Sequence, residues 1–173
     1  MGILMEIAVY LCFLIHVLLF EQFATLSPMT GQLTKEEIAN LLEASAFGHL
    51  GYVDGKEATV LPINFAYKGD AIFIHTYEGK KLDAIRENPF VCLQVEKIHS
   101  PTSWKSVLVH GKARELSGKE ESEAAQFVLE RFKGLEAKHG LFASIRWGQD
   151  PSEKKGVVYL EIKIEHMSGR YAE

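Results

Sequence analysis

The chain has 173 residues, 47% of them hydrophobic, which is enough for one sizeable core and too little for a second full domain. A formal net charge of −4, with lysines interleaved among glutamates, excludes nucleic acid as the main partner. Cys12 and Cys92 stand far apart in apolar surroundings without metal-ligand spacing, so a reducing, cytoplasmic setting is expected, with neither a disulfide nor a metal.

Residues 1–28 form an apolar extension, unbroken from Ile7 to Phe20 except at His16. A signal peptide is a poor match, because it wants a positively charged start and a small-residue cleavage site, and neither Lys nor Arg occurs before Lys35. Counted from Gly2, the run nears the roughly 18–20 residues of a membrane span, although Glu6 lies inside it. Two readings stay open: a membrane anchor at residues 2–20, or a segment that precedes a natural start at Met29. The folded domain is expected over residues 29–173.

Thr34 and Glu37 have the spacing of a capping box, flanked by Leu33 and Ile38 as a hydrophobic staple, so a helix is predicted to begin there and end near Ser45. From Phe47 the apolar period changes from helical to two. Phe47 to Asp54 and Thr59 to Lys68 flank the turn pair Asp54-Gly55, and Lys68-Gly69-Asp70 turns the chain into a third strand from Ala71 to Thr76. These three strands are expected as a meander.

That third strand runs through Gly79 into a short helix whose first turn carries Lys80 and Lys81, closed by Asn88-Pro89. A helix start offers unpaired N–H groups and the positive end of its dipole, so two lysines there outline a phosphate site. A lysine pair after a turn is usually just a solvated surface. Strands are predicted for Phe90 to Glu96 and Ser106 to Glu115. The apolar face at Val107 and Val109 is the expected contact with a second copy of the chain. Ser117 to Glu120 reads as a second capping box, followed by the helical stripe Ala124, Phe127, Val128 and Phe132. After a polar loop at Gly148 to Gly156, Val157 to His166 returns as a strand. Six strands in all suggest a small antiparallel barrel, mainly β with flanking helices.

Rossmann, P-loop, HExxH and GxSxG signatures are all absent. The remaining inventory, an anion site at a strand–turn–helix junction beside strands bearing Asn64, His75, Trp104 and Ser106, fits a flavin mononucleotide (FMN).

The segments Pro62-Ile-Asn-Phe65, Ile72-Phe-Ile-His75, Gly79-Lys-Lys81, Asn88-Pro89, Trp104-Lys-Ser-Val107 and Gly111-Lys-Ala113, in that order and spacing, resemble the flavin-binding split barrels related to pyridoxamine 5′-phosphate oxidase. Within them the chain is most similar to the nitroimidazole-resistance group, and the ending Leu160 to Gly169 resembles that group's last strand. The resemblance implies a six-stranded split barrel that forms a homodimer, with FMN sites at the subunit interface. It further implies that Lys81 and Lys80 hold the phosphate, that Ile63 and Asn64 lie along the ring, and that Trp104 and Ser106 lie near the cofactor. His75 matches the histidine tied to activity, with Thr76 beside it. The turn from His75 to Lys81 is one residue shorter than the group's usual form, and the C-terminal tryptophan and arginine pattern of the vitamin B6 oxidases is missing. The expected activity is an FMN-dependent oxidoreductase passing electrons from NAD(P)H to a small organic acceptor. A non-catalytic haem- or flavin-binding protein, with His75 or His166 as a haem ligand, is the alternative.

Overall fold

The structure, a computed structural model, describes residues 29–139 and 156–173. The apolar extension, the polar loop at 148–155 and Cys12 lie outside the described residues. In chain order the elements are β1 (Thr30–Gln32), α1 (Lys35–Ala44), β2 (Phe47–Asp54), β3 (Glu57–Asn64), β4 (Ala66–Lys68), β5 (Ala71–Tyr77), α2 (Lys80–Glu87), β6 (Phe90–Ser100), β7 (Ser103–Glu115), α3 (Gly118–His139) and β8 (Val157–Ala172).

Strand order explains the shape. The sheet runs β3-β2-β6-β7-β8-β5-β4, with β1 added to β8, and every pairing is antiparallel. β3 and β4 stand at opposite ends of that path, yet only Phe65 separates them in sequence. Consecutive Cα atoms are about 3.8 Å apart, so the two edges must meet and the sheet must curl into a barrel. Phe65 is fully buried at this seam, its N–H donating to the Ala46 carbonyl at 3.0 Å.

The expected meander is therefore broken. The predicted strand Thr59 to Lys68 divides at Phe65, with β3 pairing β2 and β4 pairing β5. Eight strands are described, not six; the two unforeseen ones are the three-residue β1 and β4.

Local signals behave as their chemistry requires. The Thr34 hydroxyl accepts from the Glu37 N–H at 3.2 Å, and the Glu37 carboxylate accepts from the Thr34 N–H at 2.9 Å, completing the predicted box. Gly55 and Gly69 take φ of 61° and 62° at the two predicted turns. The second box does not form: both Glu120 carboxylate oxygens accept from Arg114, and Gly118 has φ of 57°.

The barrel interior holds Leu50, Ile72, Ile74, Leu93, Val95, Leu160 and Ile162, closed by Leu42 from α1 and by Leu82 and Ile85 from α2. Val107 and Val109 belong here too, each 0% exposed, which corrects their expected role as a contact face. Alternation gives β7 an inner and an outer face, and these valines occupy the inner one. Exposed apolar side chains on the outer face of the sheet include Val53, Val60, Phe90 and Ile98. α3 covers part of that face through Val128 and Phe132, with the Phe127 ring edge-on to Phe73 at 5.7 Å.

Candidate functional site

The centre is the junction of β5 and α2. Ile72, Ile74 and Thr76 point into the barrel, so alternation sends Phe73 and His75 to the outer face. The chain then turns at Gly79, whose φ of 146° favours glycine, and α2 begins with no side chain capping it. The Leu82 N–H already donates to the Gly79 carbonyl at 2.8 Å, which leaves the N–H groups of Lys80 and Lys81 as the donors with which this start can receive an anion.

The turn is held rigidly. Arg86 donates to both Glu78 oxygens at 2.8 and 2.9 Å and to both Glu115 oxygens at 2.6 and 3.0 Å. These hydrogen bonds keep the Glu78 carboxyl below the usual carboxylate range. The clamp ties the strand before Gly79 to the helix after it and to the end of β7.

Two basic side chains meet at the junction. Burial lowers the pKa of His75, and the nearby charge of Lys81 lowers it further, to about 4. Burial also pulls the Lys81 ammonium below its ordinary value. A bound anion would reverse the Lys81 shift by pairing with its charge. Lys80 is exposed. The residues present fit the phosphate end of a flavin: an uncapped helix start, a half-buried lysine and a glycine beside which a Cβ would meet nothing within 4 Å.

Asn64 is the ladder partner of Phe47 on β2, and strand alternation puts its side chain on the outer face, the face that His75 takes on β5. Ile63 has the opposite parity and packs against the barrel core. Thr76 is buried on the core side, its hydroxyl donating to the Tyr77 carbonyl at 3.4 Å, so its side chain does not share a face with His75.

Trp104 and Ser106 lie elsewhere. Trp104 pairs Ile98 and Ala172, and Ser106 pairs Glu96 and Arg170, on the outer face at the far end of β8. His75 pairs Tyr159, so eleven residues of β8 separate the two groups, about 35 Å of strand contour. One chain does not bring them together.

Sequence reasoning missed Tyr159, whose ring centroid is 6.3 Å from that of His75 and whose phenol is pushed up chiefly by burial. The β5–β8 register was the missing information, since Tyr159 only reads as an alternating strand residue without it.

Among the described residues no helix is long and apolar enough to cross a membrane, and no three His, Cys, Asp or Glu side chains are arranged to hold a metal ion. Residues 34–171 match the family model described as pyridoxamine 5′-phosphate oxidase. An uncharacterized protein from Rhizobium meliloti (strain 1021) is 25% identical over 81% of this chain and 93% of its own length. A FAD-binding protein from Mesorhizobium loti superposes with a TM-score of 0.63 at 26% identity, covering 84% of this chain and 98% of that one. A candidate 5-nitroimidazole antibiotic resistance protein from Bacteroides thetaiotaomicron gives 0.65 at 17% identity, over 84% and 89%. A FAD- and haem-binding protein from Mycobacterium smegmatis gives 0.62 at 19%, over 83% and 73%. With the barrel seam at Phe65, the strand–Gly79–helix junction and the match from Thr34 to Tyr171 all in one chain, it belongs to the pyridoxamine 5′-phosphate oxidase family and has that family's flavin-binding split-barrel fold.

Proposed function

We propose that this protein is an FMN-dependent oxidoreductase, working as a homodimer in the cytoplasm and passing electrons from NADH or NADPH to a small organic acceptor of the nitroimidazole kind. The observation that carries this reading is the half-buried Lys81 set beside His75 at an uncapped helix start. Lys81 and the first-turn N–H groups would hold the single phosphate, with the exposed Lys80 contributing less. Asn64 and His75 offer hydrogen-bonding groups beside a planar ring. FMN, when bound, supplies the hydride chemistry.

His75 stays neutral above about pH 4, so its imidazole serves as donor and acceptor at neutral pH without adding a second positive charge next to Lys81. Trp104 and Ser106, at the far end of β8, would act on the flavin of the second copy. The exposed outer face at Val53, Val60 and Phe90 supplies the apolar area for that contact.

The absorption spectrum of the purified protein tests the reading. Near-ultraviolet and blue flavin bands that bleach with NADH or NADPH and return with an acceptor are expected. A Soret band on haem addition, with no flavin retained, would replace it by the haem-binding alternative, with His75 or His166 as ligand.

A further inference from the structure

A second constellation lies on the outer face, away from Gly79. His110 of β7 and His166 of β8 are direct ladder partners, and their rings stack with centroids 4.6 Å apart and planes 19° from parallel. A backbone irregularity puts them there. The ladder passes from Gly111↔Ile164 to His110↔His166, which leaves Glu165 as a bulge without a partner. Without that extra residue, Glu165 would face His110, and His166 would point into the core beside Val109. Gly111 permits the irregularity, because a Cβ at that position would lie 2.3 Å from the Lys163 carbonyl oxygen. Bulges re-aim side chains in this way and are frequent beside functional sites.

The pair lines a shallow cavity of about 430 Å³ together with Val60, Phe90, Cys92 and Glu165. Cys92 is the ladder partner of His110 on β6, but its thiol leans toward β2, where a Cβ on Gly51 would be 2.7 Å from Sγ. The thiol is thus directed away from the imidazoles, which leaves two nitrogen ligands side by side.

We propose that His110 and His166 form a two-imidazole site for a first-row transition-metal dication. Imidazole is the shared ligand of copper, nickel and zinc, and cross-strand partners hold two such rings at a fixed spacing. Metal–nitrogen bonds of about 2.0–2.1 Å put two ligating nitrogens within roughly 4 Å of one another, which the stacked pair reaches by tilting about the ring-bearing bonds. No third side chain is in place among the described residues, and Val53, Val60 and Phe90 of the same cavity are the face proposed above for the second copy, so the other coordination positions fall to water, a small anion or a side chain of that copy. The site orders metals as copper above nickel, and copper above zinc, as nitrogen sites do.

The test uses tag-free, flavin-loaded protein titrated with Cu²⁺, Ni²⁺ and Zn²⁺ in a non-chelating buffer. One Cu²⁺ per chain is expected, with an electron paramagnetic resonance signal split by two nitrogens and an unchanged flavin spectrum. His166→Ala, on an exposed side chain, should weaken Cu²⁺ by at least the roughly 10- to 100-fold that loss of a metal site's supporting partner costs. His110→Gln, which keeps the half-buried volume, should do the same, and the double variant should be no worse than either. Binding unchanged in both single variants would overturn the site, as would no binding at all. A haem-dependent Soret band lost in His166→Ala, with no response to free ions, would also overturn it. Because the flavin spectrum is read separately, failure of the metal site and failure of the flavin reading give different results.

Discussion

At the Tyr159 end of β8 the outer face is roofed by α3, and His75 and Lys81 sit half-buried beside a clamped turn. At the Arg170 end the same face is bare, with Ser168 and Arg170 exposed and Ile98 at 64% exposure across the sheet. The first end is already organised to hold a charged group. The second offers Trp104 and Ser106, both half-buried, with Trp104 lining a cavity beside Asn40 and Ala44 of α1. On the proposed reading the site residues form two halves, and a second copy of the chain would join them, each contributing the half that the other lacks.

The sharpest way to break this comparison is to charge the outer face. Val60→Glu, at a side chain 66% exposed, should leave the fold intact and yield a monomer that has lost its flavin. Val109→Glu is the control, since an unpaired charge inside the barrel costs several kcal/mol and should abolish folding. Sedimentation and the flavin spectrum read both. A Val60→Glu protein that is still dimeric and still yellow would move the joining surface away from this face.

The roofed end can be probed through pH. His75 has a folded pKa of about 4 against an ordinary 6.5, so between those values the unfolded chain carries a proton that the folded chain does not. The stabilisation is fully present above about pH 6.5 and is lost as pH falls toward 4, by up to about 3 kcal/mol. Urea titrations at several pH values should show this slope, and His75→Gln should flatten it. A slope that survives the substitution would assign the effect to other groups.

Lys81→Ala sharpens the chemistry of the same end. A charge-assisted phosphate contact is worth about 1.5–3 kcal/mol, or on the order of ten- to a hundredfold in affinity. FMN should weaken by that factor while riboflavin, which lacks the phosphate, binds as before. Equal losses for both ligands would place the lysine's role in the ring pocket.

Much of the roofed end is legible in the sequence, because its signals are local. Gly79, the two lysines and Asn88-Pro89 mark the strand–turn–helix by spacing alone, as Thr34 and Glu37 mark α1. What escapes is set by distant partners. Val107 and Val109 alternate with Trp104, Ser106 and Leu108, and a strand with apolar residues on both faces does not reveal which face is inward. Phe65 ends β3 because the barrel seam closes there, and the Glu165 bulge depends on Gly111 meeting the backbone of β8. Thr76 follows His75 in sequence, so it read as part of one site, yet strand geometry sends it to the other face.

The smallest effect tests whether the two ends are energetically separate. Glu37 lies at the bare end, where its carboxylate accepts from the Thr34 N–H at 2.9 Å and from Lys105 of β7 at 3.5 Å. Thr34→Ala removes the side-chain half of the capping box, a change worth about 1 kcal/mol of stability, while α1 keeps its buried Ile38, Leu41 and Leu42. Unfolding free energies should fall by that amount at neutral pH, with the part of the pH slope that His75→Gln removes unchanged, since distant sites without shared partners add independently. FMN affinity should also stay the same if Lys81 alone secures the phosphate. A Thr34→Ala protein with altered pH slope or weakened FMN would show that the helix at the bare end is coupled to the junction at Gly79, and the two halves would then have to be treated as one cooperative unit within each chain.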